Sequence, residues 1–130
     1  MPFTYFRDDA RRRIRITLTD PLRVADMTLS LDRQLTEGTW DYGVLLDGRA
    51  IAAGVPSSDI QSFLSQVREL IAKHGPRGPV AFVATQSAAI GSAQRYLLFG
   101  GGAAESFEIF WAIDDANRWL DEQSAGKNQP

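Results

Sequence analysis

The chain has 130 residues, 44% of them hydrophobic and 23% charged, with a formal net charge of −2. Those values fit one ordinary globular domain able to bury most of its unfolded surface, and they argue against nucleic acid, which needs a clearly basic face. With no cysteine, disulfides, thiolate nucleophiles and thiolate-bound metals are excluded, and the single histidine, His74, leaves any zinc or iron site dependent on carboxylates, a poor ligand set for either. No cofactor and no metal are expected. No apolar run reaches membrane-spanning length, and Met1-Pro2-Phe3-Thr4-Tyr5 lacks the basic-then-apolar order of a signal peptide, so the expected location is the cytoplasm.

Residues 4–7 and 13–18 read as strands, and the polar stretch Asp8-Asp9-Ala10-Arg11-Arg12 between them predicts an antiparallel hairpin. Ile14, Ile16 and Leu18 alternate with Arg13, Arg15 and Thr17, so one face of this strand is expected to be wet. The arginines of this segment, Arg7 and Arg11 to Arg15, read as a solvated hairpin face because Asp8 and Asp9 intervene. Asp20-Pro21 then predicts a helix start, with aspartate as the cap and proline in the first turn. Val24, Met27, Leu31 and Leu35 form its apolar stripe, and Gly38 its stop.

Two unbroken apolar runs follow: Gly43-Val44-Leu45-Leu46-Asp47, and Val80-Ala81-Phe82-Val83-Ala84-Thr85 after Pro79. A strand with apolar residues on both faces must be covered on both, which predicts a parallel sheet flanked by helices. Between them lie a small-residue loop over 48–56 and a helix whose Ser58-Asp59-Ile60-Gln61 matches a capping box. That helix carries the stripe Ile60, Phe63, Leu64, Val67 and Ile71, with Lys73 and His74 in its last turn and Gly75-Pro76 as its stop. A third helix over 87–99 is expected to bury Ile90, Ala93 and Leu97. Gly100-Gly101-Gly102 then ends it; these glycines follow a helix and precede a strand, the reverse of a phosphate loop. A last strand over 107–111 and a helix capped by Asp114 or Asp115, carrying Ala116, Trp119 and Leu120, complete the order ββαβαβαβα. Residues 1–123 are thus read as one domain and 124–130 as a polar, disordered tail.

Ligands of open α/β sheets sit beyond the C-terminal strand ends. That rule selects Asp47, Arg49, Ser57, Ser58, Thr85, Gln86 and Ser87, with Arg95 one turn past Gly91 on the third helix. Asp47 and Arg49 can orient a ligand, while Ser57 or Ser58 could carry a phosphate at a helix N-terminus. No catalytic pair or triad stands out, because His74 ends a helix at the opposite edge.

Three segments, Trp40-Asp41-Tyr42-Gly43-Val44-Leu45-Leu46-Asp47-Gly48-Arg49, Gly75-Pro76-Arg77-Gly78-Pro79-Val80-Ala81-Phe82-Val83-Ala84-Thr85 and Gly91-Ser92-Ala93-Gln94-Arg95-Tyr96, share a pattern with a known family. Together with the element order and the closing Phe110 to Trp119-Leu120 pattern, they resemble the STAS-like proteins (SpoIIAA-like, related to anti-anti-sigma factors) over roughly residues 4–121. The resemblance implies a small sheet with an N-terminal hairpin, acting as a regulatory interaction module or, as in the similar CRAL-TRIO fold, as a binder of lipophilic ligands. The anti-anti-sigma serine follows an aspartate in an Asp-Ser-Ser/Thr-Gly-type motif, whereas Gly48-Arg49 follows Asp47 here.

The leading expectation is a non-enzymatic module that binds a protein or small ligand at this edge, with Arg49 and Arg95 as charged anchors. The alternative is a lipophilic carrier with an apolar cavity between the helix over 58–74 and the sheet. An enzyme using Asp47 with Arg49 or Arg95 ranks last, and a homodimer is left open.

Overall fold

Both apolar runs form central strands of one mixed sheet in the computed structural model, which describes residues 3–127. In chain order the elements are β1 (Phe3–Asp8), β2 (Arg13–Thr19), α1 (Val24–Glu37), β3 (Gly43–Ala50), α2 (Ser57–His74), β4 (Val80–Val83), α3 (Ser87–Leu98), α4 (Gly101–Ala104), β5 (Phe107–Phe110) and α5 (Ile113–Lys127). The sheet order is β1-β2-β3-β4-β5, with β1 antiparallel to β2 and every later pair parallel. The hairpin pairs Phe3 with Leu18 and Asp8 with Arg13, and Arg12 closes its turn in the left-handed region at φ 52°.

Strands in strictly consecutive order, joined by right-handed crossovers, place each crossover helix on the same face. The packing follows that rule. Ile14, Ile16, Leu18, Val44, Val80 and Phe82 form the main core with Ala89 and Ala93 of α3, and Ile60 and Leu64 of α2 continue it with Tyr96. Leu31 of α1, Val67 of α2 and Trp40 close the outer helix layer. The opposite face holds a smaller core in which Leu45, Ala81 and Val83 meet Ala116 and Leu120 of α5. One helix cannot cover five strands, so Phe6 of β1 stands 64% exposed on that side.

Several local expectations are corrected. Asp20 does not cap α1: the helix begins at Val24 with Arg23 at its cap and no side-chain cap bond. The Asp20 carboxylate instead accepts the Ala52 N–H at 2.9 Å, because the pairing of Thr19 with Ala50 brings the end of β3 beside it. The capping box does not form either. α2 starts at Ser57 with Pro56 at its cap, which places Ser58 inside the first turn. Asp114 and Asp115 likewise lie within the first turn of α5.

β3 runs on through Gly48, Arg49 and Ala50, so the loop begins later than expected, whereas β4 ends at Val83. Gly48 is needed inside the strand because a Cβ there would meet the Phe82 ring at 2.8 Å. In α3 the buried positions are Ala89, Ser92, Ala93 and Tyr96, with Ile90 and Leu97 only half-buried. The glycine run continues into the short helix α4. Arg13, assigned to a wet face, is buried under α5, where its guanidinium donates to Asn117 at 3.2 Å and Asp121 at 2.8 Å. α5 itself continues through Lys127, taking in the first residues of the expected tail, and residues 128–130 lie outside the described residues.

Two glycines separate crowding from propensity. A Cβ on Gly78 would run into the Tyr42 and Asp41 carbonyl oxygens, whereas one on Gly91 in α3 meets nothing within 4 Å. Gly78→Ala should therefore destabilise the protein by about 1–3 kcal/mol. Gly91→Ala should stabilise it by up to about 1 kcal/mol through helix propensity. Urea denaturation should show the two midpoints moving in opposite directions.

Candidate functional site

The residues selected at the sheet edge lie at the C-terminal ends of β3 and β4, but their side chains do not converge on a shared opening. Asp47 is 5% exposed and points to the α5 side, toward Arg15. Its Oδ1 accepts the Arg49 backbone N–H at 3.2 Å and Nε at 2.9 Å, while Oδ2 accepts the second arm of that guanidinium at 2.9 Å. The Arg49 hydrogen bonds hold the Asp47 carboxyl below the usual carboxylate range, against the opposing effect of burial.

Arg95 faces the other side of the sheet and staples α3 to the start of α2. It donates to Ser57 Oγ at 2.6 Å, to the Val55 carbonyl at 2.7 Å and to Ser92 Oγ at 3.3 Å. Ser92 Oγ also accepts the Val55 N–H at 2.9 Å and donates to the Ala88 carbonyl at 3.0 Å. Ser58, Thr85, Gln86 and Ser87 are exposed, and among the described residues none of their side chains makes a hydrogen bond. Both arginines chosen as anchors are thus already hydrogen-bonded within the chain. The strand order explains why no crevice gathers these groups. Ligand clefts of open sheets form where the strand order reverses, and here it never does.

An apolar concavity lies instead under the three-helix layer. A cavity of about 90 Å³ opens between the sheet and α1, α2 and α3. Its floor is Ile16, Leu18, Leu46 and Phe82, and its walls include Ile60 and Phe63 of α2, Ala93 and Tyr96 of α3, and Phe107 of β5. Its roof is the N-terminal half of α1, through Asp26, Met27 and Ser30. The C-terminal half of that helix packs by Leu31 onto Val67 and Trp40. The Thr28 hydroxyl, in the roofing half, donates to Gln66 Oε1 of α2 at 2.5 Å, so both halves of α1 are tied to α2.

A buried polar cluster closes one wall. Arg77 and Glu105 pair at 3.2 Å with side chains 3% and 1% exposed. The second guanidinium arm donates to Gln34 Oε1 at 3.0 Å, and Gln34 Nε2 donates to the Thr39 carbonyl at 3.0 Å. The Tyr96 hydroxyl donates to Glu105 Oε1 at 2.7 Å, and burial foremost, then the neighbouring Glu105 charge, pushes its pKa far above the usual tyrosine value. Gly101 belongs to this arrangement: any Cβ there would collide with the Tyr96 ring. Sequence reasoning missed the whole cluster. The available signals were Gln34 lying on the same helix stripe as Leu31 and Leu35, and a glycine run too close to Tyr96 to be mere punctuation.

Two pH responses follow. Asp47 has a depressed pKa in the folded state, so its contribution is present above the ordinary carboxylate range and is lost as pH falls through the depressed value. Asp47→Asn should cost about 1–3 kcal/mol at neutral pH and flatten the acid limb of a stability–pH curve. Tyr96 has a raised pKa, so its contribution is complete below about pH 10 and is lost as pH rises beyond that. Tyr96→Phe should make the alkaline limb shallower, which denaturation series between neutral and strongly alkaline pH would reveal.

No protein-family model, curated protein or solved structure matches this chain, so the case for a function rests on the site itself.

Proposed function

We propose that this chain is a non-enzymatic binding module that takes a small lipophilic ligand into the cavity beneath α1, α2 and α3. The observation that carries the reading is an aromatic and aliphatic cavity of about 90 Å³ that opens beneath α1, α2 and α3. Concave apolar pockets with a few polar groups are where small ligands bind. An apolar cavity of the same order, about 150 Å³, takes up benzene. The position matches what a lipophilic carrier requires, since α2 and the sheet both line the space. The hairpin followed by alternating strands and helices agrees with the STAS-like resemblance, and the CRAL-TRIO fold, which is similar to that of STAS-like proteins, takes ligands of this class. Docking of a partner through the strand-end edge has less support, because Arg49 and Arg95 are already engaged inside the chain.

Toluene is a suitable probe because it offers one apolar ring and no charge. Titrating it should raise the melting temperature in step with ligand concentration, as mass action requires. Ala93→Leu places extra methyl groups in the cavity and should abolish that response while leaving the fold intact. A melting temperature indifferent to toluene in the parent protein, or a response unchanged in Ala93→Leu, would overturn the assignment.

A further inference from the structure

We infer that the ligand is a small lipophilic amine, with its apolar part in the cavity and its ammonium group at Asp26. The inference rests on the cavity reading above and adds the charge of the occupant. Three charged side chains line the cavity: Asp26, Arg77 and Glu105. Arg77 and Glu105 neutralise one another in a buried pair, and Arg77 is further held by Gln34. Asp26 makes no side-chain hydrogen bond or ion pair among the described residues. The wall therefore presents one uncompensated carboxylate and no free cation. An anionic ligand would meet repulsion, and an ammonium would find a partner.

The position of Asp26 suits that role. It is half-buried, so it sits where the cavity meets solvent and is not an isolated charge in the core. Ser30 lies one helical turn further along the same face of α1 and also lines the cavity. Its hydroxyl donates to the Met27 carbonyl at 2.7 Å, leaving oxygen lone pairs to accept an ammonium proton. Phe63, Phe82, Tyr96 and Phe107 supply aromatic faces, which attract cations as well as apolar groups. Asp26 also lies in the first turn of α1, where the helix dipole favours a carboxylate. That accounts for its tolerance in the helix, and Asp26→Asn should lose a little stability with or without ligand.

The test uses three ligands of similar shape, benzylamine, benzyl alcohol and benzoate, titrated calorimetrically into the full chain. Benzylamine should bind about tenfold more tightly than benzyl alcohol, the size of a charge-assisted hydrogen bond, and benzoate should bind weakest. Asp26→Asn should remove the benzylamine advantage and leave benzyl alcohol within about twofold of its parent value. Ala93→Leu should weaken all three. Benzyl alcohol binding with no preference for the amine, or a preference that survives Asp26→Asn, would overturn this inference alone. Benzylamine binding that survives Ala93→Leu would place the amine outside the cavity and overturn it too. Binding of none of the three would defeat the cavity reading together with it.

Discussion

The buried Arg77–Glu105 pair ties together four parts of the chain that are far apart in sequence. Arg77 comes from the turn into β4 and Glu105 from the turn into β5, while Gln34 of α1 and Tyr96 of α3 complete the cluster. A buried pair of this kind adds little net stability over an apolar replacement, yet removing one partner strands a charge in the core. Its effect is geometric. It holds α1 and α3 at fixed positions against the strand starts, with Trp40 stacked beside the guanidinium at 5.5 Å. Among the described residues the Arg77 Nε has no hydrogen-bond partner, so the aromatic face of Trp40 is part of what accommodates that cation.

That fixed frame sits on a sheet whose strand order runs without reversal. Three crossover helices therefore share one face, and a single helix serves the other. On the crowded face α1 is the outermost helix and meets α2 and Trp40 through Leu31, with Thr28 hydrogen-bonded to Gln66 of α2. Its N-terminal half spans the space above Leu18, Leu46 and Phe82, where aromatic side chains from α2, α3 and β5 do not close completely. On the sparse face Arg13 turns inward to meet α5, and Phe6 stays in solvent. The same topology thus produces both the cavity and the dispersal of the strand-end polar groups.

Those strand-end groups satisfy local needs. Asp47 collects three hydrogen bonds from Arg49 two residues away and a longer one from Arg15 of β2, which lock the end of β3. Arg95 and Ser92 together satisfy both backbone groups of Val55, which also lines the cavity. Arg95 and Ser92 therefore fix one piece of the cavity wall, while Asp47 and Arg49 serve the opposite face.

The sequence by itself determined the α/β class, the hairpin, the parallel central strands and the apolar stripes of the helices. Those features follow from periodicity and from turn residues, which act over a few positions, as with the unbroken runs ending at Asp47 and at Thr85. Helix starts at Asp20 and Ser58 were misread because a carboxylate or hydroxyl caps whichever N–H comes within reach, and for Asp20 that was Ala52 across the sheet. The site was less legible still. A location rule built on strand ends assumes a reversal in strand order, and strand order is a property of assembly. Only the tertiary structure decided that Gln34, Arg77, Tyr96 and Glu105 would share one buried cluster, and that Asp26 would face an apolar cavity without a partner. Such pairings join residues up to 43 positions apart and depend on packing that no local pattern encodes.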